Sequence, residues 1–204
     1  PEMFSLGPTT IRYYSLAFVI SFLIGYYIMT RMFKEGGKPD EYVEDLFLYV
    51  FAGTIIGARL GHCLFYDPVG YLQNPLEILK VWKGGLASHG AAIGILIAVW
   101  LFTKKRKKIT YLWTLDRLVV NTALAGCFIR LGNLFNSEIL GKEADVPWSF
   151  VFTRIDNIPR HPTQIYEAFA YLVSFGILYW LYQKMKPKIP EGYLFGLFLI
   201  FIFS

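Results

Sequence analysis

Residues 118–135 read LVVNTALAGCFIRLGNLF, an apolar stretch that contains a single arginine, Arg130, near its carboxyl end. As an α-helix these residues extend over about 27 Å, close to the thickness of the hydrocarbon core of a bilayer. An arginine at membrane depth costs roughly 2.5–3.5 kcal/mol on insertion scales. The stretch therefore predicts a membrane-spanning helix in which Arg130 serves an anionic ligand or a buried partner.

Four residues of this segment fall on one face of the predicted helix: Gly126, Arg130, Asn133 and Ser137, spaced at i, i+4, i+7 and i+11. Gly126 has no side chain, so it leaves room beside the guanidinium of Arg130 and the carboxamide of Asn133. A cation and an amide in such a recess suit a phosphate headgroup. This face is the first candidate for a functional site.

The composition of the chain indicates a membrane protein. Of its 204 residues 55% are hydrophobic and 18% aromatic, and several apolar runs approach the bilayer-spanning length of about 20 residues. Backbone groups in lipid must be bonded within each segment, which favours helices. We predict an all-α polytopic membrane protein with about six spans, folded as a single integral membrane domain over residues 1–204. The spans are predicted at 11–33, 42–66, 86–103, 115–135, 163–182 and from 192 onward, with a short interfacial or re-entrant element at 75–82 before the third span.

Basic residues predict the orientation of these spans. They follow spans one, three and five, so all three loops fall on one side in an alternating topology, and the positive-inside rule makes that side cytoplasmic. The loops 67–86 and 136–162 then lie outside. The same argument assigns the basic run 104–108 to topology and anionic lipid rather than to nucleic acid. The basic residues concerned are Arg31, Lys34, Lys38, Lys104, Lys105, Arg106, Lys107, Lys108, Lys184, Lys186 and Lys188.

His89 lies in the sequence GGLASHG, residues 84–90, at the predicted start of the third span. Gly84 and Gly85 permit a tight turn, and the helix is expected to begin directly after it. The partial positive charge at a helix start attracts anions and disfavours a charged imidazolium, which predicts a neutral His89 that can accept a proton. The alternative is a structural histidine bonded to a backbone carbonyl.

The second predicted span also contains residues that are unusual in lipid. Gly53, Gly57 and Gly61 are four residues apart, the small-xxx-small pattern through which membrane helices pack closely. Arg59 lies in the same span, and His62 follows three residues later. Two interpretations of Arg59 stay open: a ligand-binding residue, or a structural residue paired with an acid or with backbone carbonyls.

Further polar residues fall in the predicted outer half of the bilayer. Glu138 follows the fourth span. Three interpretations stay open for it: an ion pair with Arg130 or Arg59, a residue that orients a substrate hydroxyl, or a solvated loop acid. Arg160 and His161 precede the fifth span at the level of the headgroups. Glu167 lies inside that span, where an ion pair is the favoured interpretation. Tyr14, near the outer end of the first span, is an interfacial aromatic or a residue that contacts the phosphate.

Three segments together resemble one family. They read WKGGLASHG at 82–90, RLGNLFNSEILG at 130–141 and RHPTQIYE at 160–167, and they are similar to the motifs of the bacterial prolipoprotein diacylglyceryl transferases. The resemblance runs in order over essentially the whole chain. It implies a multi-pass inner-membrane enzyme with its active site toward the outer leaflet. Such an enzyme moves the diacylglyceryl group of phosphatidylglycerol to the thiol of the lipobox cysteine in a prolipoprotein signal peptide, so that a thioether forms and glycerol phosphate leaves.

The resemblance also implies roles for individual residues. His89 and Arg130 correspond to the family's histidine and phosphate-binding arginine, and we take both as catalytic. Asn133 and Glu138 correspond to essential polar residues nearby. No metal or organic cofactor is implied, and the expected partners are phosphatidylglycerol, the prolipoprotein and membrane lipids. Gly84, Gly90 and Gly141 match glycines of the family's functional segments, and Tyr14 matches an aromatic residue near the site. With Arg59, Arg160 and His161, which are chosen for their predicted position, the substrate-binding set is Tyr14, Arg59, Gly84, Gly90, Arg130, Asn133, Glu138, Gly141, Arg160 and His161.

The chain departs from the family pattern at its carboxyl end. Family members continue past Ser204 through the rest of a sixth span and a seventh, which contain a second arginine and an acid that complete the site, so we expect a truncated chain. Two alternatives therefore stay open: an inactive fragment or pseudoenzyme, and a transporter or flippase for an anionic lipid. A transporter needs a polar path to the cytoplasmic half, where the sequence offers only Asp116 and Arg117.

Overall fold

The computed structural model describes residues 2–6, 9–81, 84–106, 108–186 and 188–203, and within these ranges it describes side chains from residue 19 onward. The described residues form the α-helices α1 Tyr13–Glu35, α2 Glu41–Tyr66, α3 Pro68–Gln73, α4 Ser88–Lys104, α5 Tyr111–Asn136, α6 Thr163–Met185 and α7 Tyr193–Phe203. A 3₁₀ turn, Pro75–Leu79, follows α3. Two antiparallel strand pairs are short: β1 Glu2–Leu6 with β2 Thr9–Arg12, and β3 Phe150–Val151 with β4 Pro159–Arg160.

The predicted all-α membrane architecture is confirmed. Three of the described helices, α2, α5 and α6, are long and apolar enough to cross a membrane, and α4 and α7 are shorter apolar helices. The predicted spans agree with the helices to within a few residues at each end.

Two connections contain short elements that the sequence did not predict. The element predicted at 75–82 is a 3₁₀ turn preceded by α3, which begins because Pro68 suits a first helical turn and the Asp67 carboxylate accepts a hydrogen bond from the Gly70 N–H at 3.0 Å. The predicted loop 136–162 contains the β3–β4 pair.

Contacts divide the chain into two compact units. One is Phe33–Leu115, and the other combines Pro1–Met32 with Asp116–Ser204. The unit Phe33–Leu115 is built on close packing between α2 and α4. A Cβ added to Gly57 would lie 2.3 Å from the Gly90 carbonyl oxygen, and one added to Gly94 would lie 2.1 Å from that of Gly53. Since no side chain fits there, the glycines let the two backbones touch, and the packing role predicted for them is confirmed.

The unit Pro1–Met32 with Asp116–Ser204 has a core formed by α1, α5, α6 and α7. The Tyr182 side chain is almost completely buried in it, and its hydroxyl donates a hydrogen bond to the Met32 carbonyl at 3.3 Å. This packing joins the first half of α5 to the second half of α6. The core residues are Ile28, Met32, Val119, Val120, Ala123, Leu124, Leu178, Tyr182, Leu194 and Phe198.

Asp116 joins α5 to α7 in the same unit. Its fully buried carboxylate accepts hydrogen bonds from the N–H groups of Gly192 at 2.7 Å and Phe195 at 2.9 Å. The first N–H groups of a helix lack partners within the helix, and a negative charge suits that end. Asp116 therefore caps α7 from a neighbouring helix. Because this carboxylate is engaged in a cap, it gives little support to a polar path for a transported lipid.

Candidate functional site

The helix α5, which contains the candidate residues Arg130 and Asn133, ends in a strained turn. The N–H of Ser137 donates to the Leu134 carbonyl at 3.1 Å, and the N–H of Glu138 donates to the Asn133 carbonyl at 2.9 Å, which are the paired bonds of a Schellman motif. Ser137 takes the left-handed conformation of this motif with a φ of 56°, so it lies just past the helix and not on its face as predicted. Ile139 has a φ of 55°, which is rarer still for a β-branched residue. Such strain costs of order 1–3 kcal/mol and is found most often at functional sites, and the two strained residues flank Glu138.

Three amide groups hold Glu138. Asn133 Nδ2 donates to its Oε2 at 3.0 Å, and Asn136 Nδ2 donates to its Oε1 at 3.3 Å. Gln164 of α6, which is buried, donates from Nε2 to the Glu138 carbonyl oxygen at 2.6 Å. The Glu138 side chain stays exposed, and its contacts within the described part of the chain do not include an ion pair with Arg130. The carboxylate is therefore fixed in direction and accessible to a ligand.

Two buried amide oxygens in this cluster have no hydrogen-bond donor among the described residues. They are Asn133 Oδ1 and Gln164 Oε1. Because the nitrogen of each amide is bonded to Glu138, the oxygen is fixed as an acceptor. A buried acceptor without a donor costs roughly 1–3 kcal/mol. The cluster therefore has unused capacity for the donor groups of water or of a ligand.

The face of α5 that contains Arg130 packs against α6 in antiparallel register. A Cβ added to Gly126 would lie 2.8 Å from the Tyr171 ring, and Arg130 Nε lies 2.5 Å from Glu167 Oε2. One turn further, Asn133 reaches α6 through the amide cluster. The predicted common face of Gly126, Arg130 and Asn133 is thus confirmed, and so is the ion pair predicted for Glu167.

Arg130 and Glu167 line a cavity of about 280 Å³. Their contact is an ion pair without hydrogen-bond alignment, because Glu167 Oε2 has no hydrogen-bond partner among the described residues. The two Nη atoms of Arg130 make no hydrogen bond to any described residue, and its side chain is 26% exposed. A guanidinium with unused donors at a cavity suits a phosphate. The cavity is also lined by Ala170, Tyr171, Ser174, Phe198, Phe201 and Ile202.

In the unit Phe33–Leu115, the buried side chain of Arg59 fastens the loop that precedes α4. Its Nε donates to the Ile78 carbonyl at 2.9 Å, and Nη2 donates to that of Glu77 at 2.6 Å. Nη1 donates to the carbonyls of Gly84 at 2.6 Å and Gly85 at 3.2 Å. Both glycines have left-handed φ, 83° and 72°, which glycine adopts without strain. Of the two interpretations of Arg59, the structure shows the pairing with carbonyls, and substrate binding by this residue stays a prediction.

His89 is the second residue of α4. Its exposed ring lies edge-on to Phe65 with a centroid separation of 4.9 Å and stacks on Tyr66 at 6.1 Å. The structure shows no hydrogen bond between the imidazole and any described residue, so the alternative of a carbonyl-bonded histidine gains no support. The helix begins at Ser88 and not directly after the glycine pair as expected. His89 is thus held by aromatic rings, with its nitrogens available.

The three glycines predicted to bind substrate act through the backbone. Gly84 turns its carbonyl toward Arg59. Gly90 is buried against α2, where a Cβ would lie 2.3 Å from the Gly57 carbonyl oxygen. A Cβ added to Gly141 would lie 2.2 Å from the His161 carbonyl oxygen. Gly90 and Gly141 therefore permit close backbone approaches, whereas Gly84 has no atom within 4 Å of an added Cβ and serves through its left-handed φ of 83°. Direct contact of any of the three glycines with substrate stays a prediction.

Arg160 is paired within the loop before α6. Its Nη2 donates to Asp156 Oδ2 at 2.8 Å, and Glu143 Oε1 lies 4.0 Å from the same nitrogen. The hydrogen bond from Arg160 lowers the pKa of Asp156, and the same bond raises the pKa of Arg160. Binding of a lipid headgroup by Arg160 stays a prediction.

His161 and Tyr14 complete the predicted set. His161 Nδ1 lies 3.2 Å from the Tyr166 hydroxyl, which accepts a hydrogen bond from Trp148 Nε1 at 2.7 Å. Tyr14 lies in α1, but its side chain falls outside the described part of the structure. Sequence reasoning did not identify Gln164 as a site residue, although it lies in the motif RHPTQIYE, because its spacing does not reveal a buried amide.

Comparison with known proteins finds one family over the whole chain. A family model described as prolipoprotein diacylglyceryl transferase matches residues 1–204. The phosphatidylglycerol–prolipoprotein diacylglyceryl transferase of Tolumonas auensis is 48% identical over 204 residues, which cover 100% of this chain and 79% of the relative. The protein of the same name from Chloroherpeton thalassium is 50% identical, with 100% and 76% covered, and that from Bacteroides fragilis is 44% identical, with 100% and 78% covered.

Proposed function

This chain belongs to the prolipoprotein diacylglyceryl transferase family, and we propose that it transfers the diacylglyceryl group of phosphatidylglycerol to the lipobox cysteine of prolipoproteins. The observation that carries this conclusion is the match to the family over the whole chain. The protein is a membrane enzyme. We place it in the inner membrane as one multi-pass domain whose site opens toward the outer leaflet. The transporter and pseudoenzyme alternatives are not favoured.

The proposed reaction exchanges one bond for another. The cysteine sulfur forms a bond to C3 of the diacylglyceryl group, and the bond from C3 to the phosphate oxygen breaks. Glycerol phosphate leaves with the electron pair of that bond. A thiol with a pKa near 8.5 is mostly protonated at neutral pH, and only the thiolate is a good nucleophile. A base must therefore remove the proton, and we assign this role to His89, whose nitrogens are available.

Arg130 is assigned to the phosphate. Negative charge accumulates on the departing phosphate as the carbon–oxygen bond breaks, and a positioned cation in a site with little water stabilises that charge. The unused Nη donors of Arg130 at the 280 Å³ cavity support this role. The accessible carboxylate of Glu138, held by Asn133, is assigned to accept a hydrogen bond from a hydroxyl of the donor lipid.

The remaining predicted residues are assigned to binding or positioning. Tyr14, Arg160 and His161 are proposed to contact the lipid near its headgroup, and Gly84, Gly90 and Gly141 to shape the backbone around it. For Arg59 the four bonds to carbonyls support a positioning role, because they fix the loop that leads to His89.

Mass spectrometry tests the proposed function. The purified protein is incubated with phosphatidylglycerol and a synthetic peptide that contains a lipobox cysteine. We expect one diacylglyceryl group on the cysteine sulfur and one glycerol phosphate released for each modified peptide. The matched control is the peptide with serine in place of cysteine, which should stay unmodified. Released glycerol phosphate without a modified peptide would indicate lipid hydrolysis and contradict the proposal.

The pH dependence of His89→Gln tests the assignment of the base. The variant should be much slower than the wild type at pH 7, where the thiol is protonated. The difference should shrink above about pH 9, because the thiol then ionises without help. A constant ratio of the two rates over this pH range would remove His89 from the role of base.

A further inference from the structure

The proposed transfer chemistry leaves the ion pair between Glu167 and Arg130 without a role. Glu167 Oε2 lies 2.5 Å from Arg130 Nε, and both residues line the same cavity. The Nη atoms of Arg130 make no hydrogen bond to the described residues. One edge of the guanidinium thus meets a carboxylate, while the other edge has donors for a ligand. An acid in this place competes with any anion for the same cation.

The proposed reaction changes the charge of the group that Arg130 holds. The phosphate of phosphatidylglycerol is a diester with one negative charge, whereas glycerol phosphate is a monoester that has about −1.5 to −2 at neutral pH. The same cation therefore binds the product more tightly than the substrate. Product release limits the turnover of many enzymes, so an unopposed arginine here would slow each cycle.

We propose that the Glu167 carboxylate lowers the affinity of Arg130 for the released phosphate monoester and so sets the rate of product release. This inference rests on the proposed function, in which Arg130 binds the phosphate. Because the carboxylate repels a dianion about twice as strongly as a monoanion, it weakens product binding more than substrate binding. In this account Glu167 forms no bond with the ligand: it pairs with Arg130, and its negative charge offsets part of the attraction between that guanidinium and the phosphate.

Transfer kinetics with added glycerol phosphate test the inference. In Glu167→Gln we expect the inhibition constant of glycerol phosphate to fall about tenfold. This change lies between the effects that removing the charge of Glu167 would have if the charges interacted as in water and as in a dry protein interior. The KM for phosphatidylglycerol should fall about threefold, and kcat should fall because release is slower. Glu167→Asp keeps the charge and should return the inhibition constant to within about threefold of the wild type. Glu167→Ala serves as a second neutral variant if Glu167→Gln does not fold.

Two further variants separate this effect from other causes. Asp40→Asn removes a carboxylate from an exposed ion pair with Lys34, at 3.1 Å, and should leave all three constants unchanged. An inhibition constant that stays the same in Glu167→Gln and Glu167→Ala would overturn the inference, even if activity falls, because a purely structural ion pair behaves in that way. Arg130→Gln should abolish inhibition by glycerol phosphate. If inhibition persists there, the phosphate assignment itself is wrong.

Discussion

Replacing Arg59 by lysine separates the two roles that the sequence leaves open for it. The guanidinium makes four hydrogen bonds to carbonyls within the segment 77–85, at 2.6–3.2 Å. Lysine keeps the charge but has three donors at one point, so at least one carbonyl loses its partner. Hydrogen bonds to charged groups contribute roughly 1.5–3 kcal/mol each, and these terms are not additive. We expect the segment to lose about 3 kcal/mol of local stability, which is roughly a hundredfold in its opening equilibrium.

Hydrogen–deuterium exchange read by mass spectrometry measures this loss directly. Amide hydrogens of the segment 77–87 should exchange roughly a hundredfold faster in Arg59→Lys, while those of α5 keep their rates. The rate of diacylglyceryl transfer should fall, because the segment sets the start of α4 and the position of His89. The KM for phosphatidylglycerol should change less than about twofold. If Arg59 binds the lipid phosphate instead, the variant will raise this KM and leave the exchange unchanged, which would refute the reasoning.

Three other variants have defined outcomes. Gly57→Ala places a Cβ 2.3 Å from a backbone oxygen of α4 and should lower the free energy of unfolding by about 1–3 kcal/mol, measured as a lower melting temperature in detergent. Gly176→Ala is the control, because no atom lies within 4 Å of its Cβ, and its melting temperature should not fall. Gln164→Met removes the donor to the turn after α5 and should slow transfer about tenfold, with helix content by circular dichroism unchanged. The hydrogen bond from Arg160 lowers the pKa of Asp156 in the folded protein. The stabilisation that this bond gives the loop is therefore complete above about pH 3.9, the pKa of a free Asp, and is lost as the pH falls through the lower pKa of the folded state. Protection of the loop 142–161 from hydrogen exchange, corrected for intrinsic rates, should therefore decrease as the pH falls through this range. In Asp156→Asn the protection should not depend on pH.

The apolar patterns determine most of what could be predicted about the fold. A span needs about 20 apolar residues, so the positions of the apolar runs along the sequence place the long helices. The glycine ladder at Gly53, Gly57 and Gly61 predicts close helix packing because only glycine admits a touching backbone. The helix α3 was not predicted, since its six residues are too few to show a periodic pattern.

The site was predicted in part, for a physical reason. Helical spacing placed Gly126, Arg130 and Asn133 on one face, and the cost of a lone carboxylate in lipid predicted an ion pair for Glu167. The bonds of Arg59 were left open because backbone carbonyls have no signature in the sequence. The left-handed turn at Ser137 was missed because that position is usually glycine.

The central claim is that Arg130 holds the departing phosphate while this chain transfers a diacylglyceryl group. The most direct test is the initial rate at which a lipobox peptide gains the mass of one diacylglyceryl group from phosphatidylglycerol. Arg154→Gln, which changes an exposed arginine in the loop between α5 and α6, is the matched control. We predict wild-type rates for this control and a rate at least about a hundredfold lower for Arg130→Gln. Equal rates for Arg130→Gln and the wild type, or no modified peptide from the wild type, would contradict the account.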